Sequence, residues 1–151
     1  MNMDKDAKTR SFIFKKMQVD AMLAGVPMQG DAKQMLEPLK TLATEHNVPF
    51  NVIELIQHTN KVEVHTYLND LWFCFEGEVK FLCGGAMQNA HTRVRSDGSL
   101  DETEMRAEGL EGAQEIIVKP GDWLWIPAGE PHQHITQGTA RLMIIKIPHN
   151  K

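Results

Sequence analysis

The chain has 151 residues, of which 42% are hydrophobic and 24% are charged, with a formal net charge of −4 and a pI near 6.0. This length predicts one domain with a proper core, and the acidic balance argues against a nucleic-acid-binding protein, which would carry a basic face. No apolar run approaches the length of a membrane span. The polar first ten residues lack the apolar region of a secretory signal, so we expect a cytoplasmic protein.

The first third of the chain predicts an arm that precedes the main domain. Residues 1–10 are polar and predict a frayed terminus. Alternating apolar residues predict a short strand over residues 11–17. Asp31 is placed to cap a helix that runs to about His46 with one apolar stripe. Pro38 lies inside that pattern and should kink or split the helix.

The remainder, residues 50–148, changes to short β-rich runs separated by turn signals. The predicted strands cover residues 50–56, 62–67, 71–75, 79–82, 115–118, 123–126, 132–136 and 140–147, with two of the turns at residues 58–61 and 68–70. Residues 84–112 are polar and weakly patterned, which predicts a strand near residues 91–94 and a flexible remainder. Whether that segment is a lid stays open. The pattern indicates an all-β barrel or sandwich with an N-terminal helical arm covering residues 1–49.

Two cysteines, Cys74 and Cys83, flank a tight turn at residues 76–78. A cross-strand disulfide is conceivable there, but in a cytosolic protein we expect two buried thiols. Neither belongs to a Cys-x-x-Cys pair, which argues against a structural zinc site.

The most informative segment is residues 121–132, which read Gly-Asp-Trp-Leu-Trp-Ile-Pro-Ala-Gly-Glu-Pro-His. A strand is broken by Pro127 and Gly129, and His132 opens the next strand. The spacing of Gly121, Pro127, Gly129 and His132 resembles the second signature motif of the cupin superfamily. In cupins that histidine is usually a metal ligand.

The first cupin motif, Gly, five residues, His-x-His, three or four, Glu, six, Gly, is present in altered form. Counted back from Gly77, its Glu position falls on Asp70 and its second His position on His65. Glu63 stands at the first His position and Gln57 at the leading Gly. The resemblance covers roughly residues 50–148, is closest to small cupin-2 type proteins, and implies a double-stranded β-helix, or jelly roll.

The residues at these positions carry the chemistry of a metal site. Residues two apart on a strand share a face, so Glu63 points with His65, and His132 points with His134. Two histidines and one carboxylate with open positions form the facial triad that suits non-haem Fe(II), although zinc, manganese or nickel could bind the same groups. We predict His65, Asp70 and His132 as ligands. Glu63 is a fourth ligand or a catalytic base, and His134 is a fourth ligand or a substrate contact.

Each of these residues also has an ordinary structural interpretation. Asp70 could be only a turn residue, Glu63 a solubilising residue on an edge strand, and His134 a surface residue. Convergence of Glu63, His65, Asp70 and His132 on one point would favour a metal enzyme. Carboxylates that point to solvent would favour a non-catalytic barrel.

The resemblance implies a metal-dependent cupin enzyme that acts on a small polar molecule, and a dioxygenase with one Fe(II) is the first hypothesis. Isomerase, epimerase or lyase chemistry with Glu63 as base is the second. A cupin that binds a small ligand such as a sugar or an acid without catalysis is the third, because one fold hosts many functions. Cupins of this size are often dimers, so we also expect a homodimer in which the arm is an exchange element.

Overall fold

The computed structural model describes residues 11–150. Most of the chain forms antiparallel strands, which confirms the all-β prediction. The helices and strands, in chain order, are α1 (Lys16–Ala24), β1 (Ala32–Met35), α2 (Leu39–His46), β2 (Phe50–Ile56), β3 (Val62–His65), β4 (Leu68–Glu76), β5 (Val79–Cys83), β6 (Ala86–Gln88), β7 (His91–Val94), β8 (Leu100–Ala107), β9 (Gly109–Glu111), β10 (Gln114–Val118), β11 (Trp123–Ile126), β12 (His132–Ile135) and β13 (Thr139–Pro148).

Two sheets form the barrel. The five-stranded sheet has the order β1-β2-β13-β4-β11, and the six-stranded sheet has the order β10-β5-β12-β3-β8-β7. Their inner faces share one apolar core that includes Ile53, Trp72, Phe81 and Leu142. This pairing of two antiparallel sheets is a jelly roll. None of the helices in residues 11–150 is long and apolar enough to cross a membrane.

The arm differs from its prediction in two places. The strand predicted over residues 11–17 is wrong, because residues 11–15 have no regular structure and α1 begins at Lys16. The part of the predicted helix between Asp31 and Pro38 is also wrong, because residues 32–35 form β1, whereas the part after Pro38 is α2, which ends at His46 as predicted. Proline disfavours helical backbone in the residue before it, and β1 gains a full ladder of pairs with β2. The predicted frayed terminus, residues 1–10, lies outside the described residues.

The arm packs on the outer face of the five-stranded sheet. Met22 and Leu39 are buried there against Val52, with Phe50 and Phe75 packed beside them. Strand β2 is therefore buried on both faces, while its inner residues enter the barrel core.

A buried ion pair also joins the arm to the barrel. The Arg141 Nε atom donates to Glu54 Oε2 at 2.7 Å, and its two terminal nitrogens donate to the carbonyl oxygens of Leu23 and Gly25 at 2.6 Å. Glu54 is fully buried and Arg141 is 3% exposed. Glu54 Oε1 accepts from the Met28 N–H as well, so both side chains bind arm and barrel.

The segment of residues 84–112 is largely ordered into strands. The strand predicted near residues 91–94 is confirmed as β7. The prediction that the remainder is flexible is wrong, because β8 is an eight-residue strand that pairs with β3 on one side and β7 on the other. This part of the segment is barrel wall rather than a lid.

The β4–β5 hairpin explains both the glycine of the first motif, Gly77, and the positions of the two cysteines. Gly77 has φ +79°, and a Cβ atom there would collide with the Thr139 carbonyl oxygen, so the hairpin requires glycine. Cys74 and Cys83 are free and buried, as predicted. Burial raises the pKa of both thiols to about 11, which keeps them protonated at neutral pH.

Candidate metal centre

Four side chains converge between the two sheets. Glu63 and His65 lie on β3, and His132 on β12 sits directly opposite Glu63 in the strand register. Asp70 comes from β4 in the facing sheet, so residues 68–70 open a strand and the predicted turn is wrong. The convergence joins both motif segments at one point.

The nitrogen and oxygen atoms of the four residues lie close together. Glu63 Oε1 is 3.5 Å from His132 Nε2 and 3.7 Å from His65 Nε2. Asp70 Oδ2 is 3.4 Å from His132 Nε2 and 3.7 Å from His65 Nε2. One ligand atom each from Glu63, His65 and His132 falls within 4.8 Å of the others, and this group contains Glu63 rather than the predicted ligand Asp70. We refer to Glu63, His65, Asp70 and His132 as the four-residue cluster.

The cluster is buried, which removes two of the ordinary interpretations. Asp70 and His132 are each 1% exposed and Glu63 is 9% exposed. Neither carboxylate points to solvent, so Asp70 is not a turn residue and Glu63 does not solubilise an edge. Buried carboxylates require a partner, because an uncompensated charge is costly away from water.

A second layer of contacts orients both imidazoles. His132 Nδ1 lies 3.1 Å from the Glu130 carbonyl oxygen, and His65 Nδ1 lies 3.0 Å from Glu104 Oε1. When each Nδ1 atom donates, the lone pair of a neutral imidazole is on Nε2 and faces the cluster. Carboxylates and carbonyls behind metal-bound histidines orient them in the same way.

Sequence reasoning missed Glu104 and its supporting arginine. Glu104 Oε2 accepts from Arg106 Nη2 at 2.8 Å, and Arg106 Nη2 is also 3.6 Å from Glu63 Oε2. Glu104 stands opposite His65 in the β3–β8 register. The available signal is the acidic run at residues 101–104, which lies in the part of residues 84–112 that the sequence predicts to be flexible.

Sequence reasoning also missed Lys146. Its Nζ atom donates to Asp70 Oδ1 at 2.7 Å and lies 3.4 Å from His65 Nε2. Lys146 is opposite Asp70 in the β13–β4 register. The available signal is a single lysine within the apolar run of β13.

The cluster has strongly shifted proton affinities. Burial by itself lowers the pKa of His132, but the carboxylates of Asp70 and Glu63 outweigh burial and raise it to about 9. Burial raises the pKa of Glu63, yet contacts with His132 and His65 hold that carboxyl well below its usual range. Paired carboxylates therefore stay ionised and attract positive charge to the imidazoles.

The residues present fit a divalent transition metal. Within residues 11–150, Asp70 Oδ2 and His132 Nε2 are buried and have no hydrogen-bond partner, although they are only 3.4 Å apart. Unpaired buried polar atoms are rare and costly, and a cation between them would satisfy both. Two imidazole nitrogens and two carboxylate oxygens suit iron, manganese, zinc or nickel.

His134 is buried but stands apart from the cluster. It is 1% exposed, so the surface interpretation is wrong, and its ring lies among those of His58, Trp72 and Phe81 at centroid distances of 5.8, 5.8 and 5.9 Å. Its ligand atoms are outside the group formed by Glu63, His65 and His132. The structure therefore does not bring His134 among the candidate metal ligands.

His134 makes the metal-free protein sensitive to acid. Burial, with a smaller effect of Lys33, lowers the pKa of His134 to about 3. Between pH 6 and pH 5 the histidine of the unfolded chain takes up a proton, whereas folded His134 stays neutral. We therefore expect the free energy of unfolding to fall by about 1.2 kcal/mol over this pH unit. Urea denaturation of wild type and His134→Gln measures this.

The variant should lose most of that pH dependence. A smaller slope should stay because burial also lowers the pKa of His58. His65 and His132 have raised pKa values, so their contribution is complete below pH 6.5 and is lost only at higher pH. Equal slopes in wild type and His134→Gln between pH 6 and pH 5 would contradict a neutral buried His134.

No family model matches the sequence, and no curated protein matches it. Among similar solved structures, a recombinant oxalate oxidase in complex with glycolate is 18% identical, with a TM-score of 0.49 over 80% of this chain and 52% of that chain. The Drosophila melanogaster CENP-C cupin domain is 10% identical, with a TM-score of 0.49 over 81% of this chain and 73% of that chain.

The Fe(II) form of HppE is 15% identical, with a TM-score of 0.41 over 65% of this chain and 42% of that chain. The chain thus spans about half the length of the HppE and oxalate oxidase chains that it matches. These likenesses concern the fold. Two facing antiparallel sheets, the hairpin at Gly77 and the turn that leads into His132 make this chain a cupin-fold protein.

Proposed function

We propose that this protein is a metal-dependent enzyme that acts on a small polar molecule, with Fe(II) as the metal and dioxygenase chemistry as the first choice. The observation that carries the proposal is the convergence of the four-residue cluster around two buried atoms that lack hydrogen bonds. His65, His132 and a carboxylate would hold the metal, with Glu63 and Asp70 both within reach. Such an ion would supply Lewis-acid and redox chemistry.

The chain's own residues would prepare this site for one substrate. Glu104 and the Glu130 carbonyl fix the imidazole orientations. The two sheets exclude water from the inner side of the cluster. A cavity of about 370 Å³, lined in part by His65, Tyr67 and Lys146, lies beside the cluster, and substrate would approach through it. A substrate-contact role for His134 stays a prediction from the sequence, since its ring is buried beside Trp72 and Phe81 and does not line this cavity.

A second candidate is metal-dependent isomerase, epimerase or lyase chemistry. His65, Asp70 and His132 supply two imidazoles and a carboxylate without Glu63. Glu63 would then be available as a base in its carboxylate form. Because His132, His65 and Arg106 also lower its affinity for a proton, this chemistry would require a substrate that the metal makes more acidic. The non-catalytic barrel loses support, because it was favoured by carboxylates that face solvent.

Two assays separate the candidates. Fe(II)-loaded protein is mixed with a panel of small hydroxy acids, keto acids and sugars, and oxygen uptake is followed with an electrode. The same panel is incubated anaerobically in D₂O, and carbon-bound deuterium is followed by NMR. Oxygen uptake supports the dioxygenase, anaerobic exchange supports the isomerase or lyase, and neither signal with any metal-loaded sample would contradict an enzyme acting on these classes.

Glu104 offers a test that needs no substrate. Glu104→Gln keeps the shape but weakens the acceptor behind His65 Nδ1, so we expect metal affinity to fall about 10- to 100-fold. Calorimetric titration of metal-free protein with Mn(II) measures the change. The control is Glu102→Gln, on the exposed side of the same strand β8. Equal affinities for the two variants would remove Glu104 from the site.

Two further expectations, a homodimer and a cytoplasmic location, stay predictions from the sequence.

A further inference from the structure

We propose that the substrate carries a carboxylate, which Lys146 and Arg93 bind at the mouth of the cluster. This inference rests on the proposed function and adds the class of substrate to it. Its basis is the wall of the access cavity, where two cationic side chains face the same space as His65.

Lys146 occupies the boundary between the cluster and the cavity. Its Nζ atom donates a hydrogen bond to Asp70 Oδ1 and lies 3.4 Å from His65 Nε2, yet 34% of the side chain is exposed. An ammonium has three donor hydrogens, and Asp70 takes one of them. Lys146 can therefore hold Asp70 in place and donate to a substrate anion that enters the cavity.

Arg93 stands on the other strand of that wall. Its Nη1 atom lies 3.2 Å from Asp101 Oδ2 and its Nε atom lies 3.1 Å from Glu104 Oε2. The side chain is nevertheless 42% exposed. These contacts fix the guanidinium plane beside the cavity. A planar guanidinium in a fixed position suits a carboxylate, since two parallel N–H donors can bind its two oxygens.

The charge of the site favours an anion once a metal is bound. Four carboxylates line the cavity or belong to the cluster: Glu63, Asp70, Asp101 and Glu104. Three cations contact them from the same region: Arg93, Arg106 and Lys146. Arg95 adds a fourth from outside the cavity wall. A divalent ion would therefore leave an excess of positive charge, which a carboxylate substrate would offset.

The remaining wall fits the carbon part of a small acid. Tyr67 and Leu68 line the cavity beside Lys146, and the volume of about 370 Å³ lies at the lower end of the range for small-molecule sites. The cavity therefore combines two anion-binding donors, an apolar side and one residue of the four-residue cluster, His65.

The experiment uses metal-saturated protein and compares propionate, its neutral isostere propionamide, and inorganic phosphate. Metal content is measured first in every variant, so that a failure of the metal site is recognised by itself. Affinities are then measured by calorimetry at pH 7 and constant ionic strength. We expect wild type to bind propionate at least about tenfold more tightly than propionamide or phosphate, since charge-assisted bonds are the strong ones.

Two variants and two matched controls test the residues. Lys146→Met should remove most of the preference for propionate, whereas Lys80→Met, a strand lysine with a similar 38% exposure and its own carboxylate partner, should retain it within about twofold. Arg93→Met should weaken propionate about tenfold. Arg95→Met, which shares Asp101 as a partner but does not line the cavity, should not.

The outcomes separate the two claims. If the wild-type protein binds no metal, both the proposed function and this inference are overturned. Metal-loaded wild type that does not distinguish propionate from propionamide, or that prefers phosphate, would overturn the inference alone. If Lys146→Met does not bind metal, the Arg93→Met variant provides the test. Among the described residues, the ion-pair partners of Arg93 are Asp101 and Glu104, which are not part of the four-residue cluster. Unchanged propionate binding in that variant would overturn the inference.

Discussion

Replacing His132 by alanine should abolish metal binding and leave the barrel folded. His132 Nε2 lies within 3.5 Å of both carboxylates, Glu63 and Asp70, so its loss removes the nitrogen donor at the centre of the cluster. We expect affinity to fall by on the order of 1000-fold or more, beyond the effect of a supporting residue behind a ligand. Calorimetric titration with Mn(II) measures the loss, and far-ultraviolet circular dichroism checks the fold.

His134→Ala is the matched control for that variant. Both histidines lie on β12, face the barrel interior and are 1% exposed. Only His132 belongs to the candidate ligand group, so His134→Ala should keep its metal affinity within a few-fold while losing a similar volume of side chain. Metal retained in His132→Ala, or lost in both variants, would mean that the site is misplaced.

Replacing Arg141 by methionine should destabilise the protein by about 3–5 kcal/mol, because it leaves the fully buried Glu54 carboxylate without its cation. The carbonyl oxygens of Leu23 and Gly25 lose their donors in the same step. The arm should therefore detach more readily from the outer face of the sheet. Urea denaturation gives the change in the free energy of unfolding, and proteolysis near residue 25 reports release of the arm.

The double variant Glu54→Met with Arg141→Met should recover part of the loss, since it removes both buried charges. Lys16→Met is the surface control. Lys16 and Asp20 form an ion pair whose side chains are 88% and 55% exposed, so its removal should change stability by less than about 1 kcal/mol. An Arg141→Met variant as stable as the Lys16→Met variant would contradict an arm held by this ion pair.

The barrel and the centre of the site could be predicted because their signals are local. The turn before His132 depends on Pro127 and Gly129, and the hairpin after β4 depends on Gly77, so fixed spacings carry the information. Strand alternation then places Glu63 with His65 on one face. The structure confirms the jelly roll and brings both motif segments to one point.

The surroundings of the site depend on strand pairing that the sequence does not display. Glu104 reaches His65 because β8 pairs with β3, and Lys146 reaches Asp70 because β13 pairs with β4. Polar residues in β8 resemble a loop when only local pattern is considered. The prediction for the arm is wrong for a similar reason. The apolar stripe of the predicted helix begins only at Met35, and pairing with β2 makes residues 32–35 a strand.

Elemental analysis of the full chain, purified without a metal-affinity tag, shows whether the four-residue cluster binds a metal. We expect close to one equivalent of a transition metal per chain, either as purified or after incubation with Fe(II), Mn(II), Ni(II) or Zn(II) and removal of the excess. The same treatment of His132→Ala should give almost none. Less than about a tenth of an equivalent in wild type after incubation with each of the four metals would contradict a metal site at Glu63, His65, Asp70 and His132.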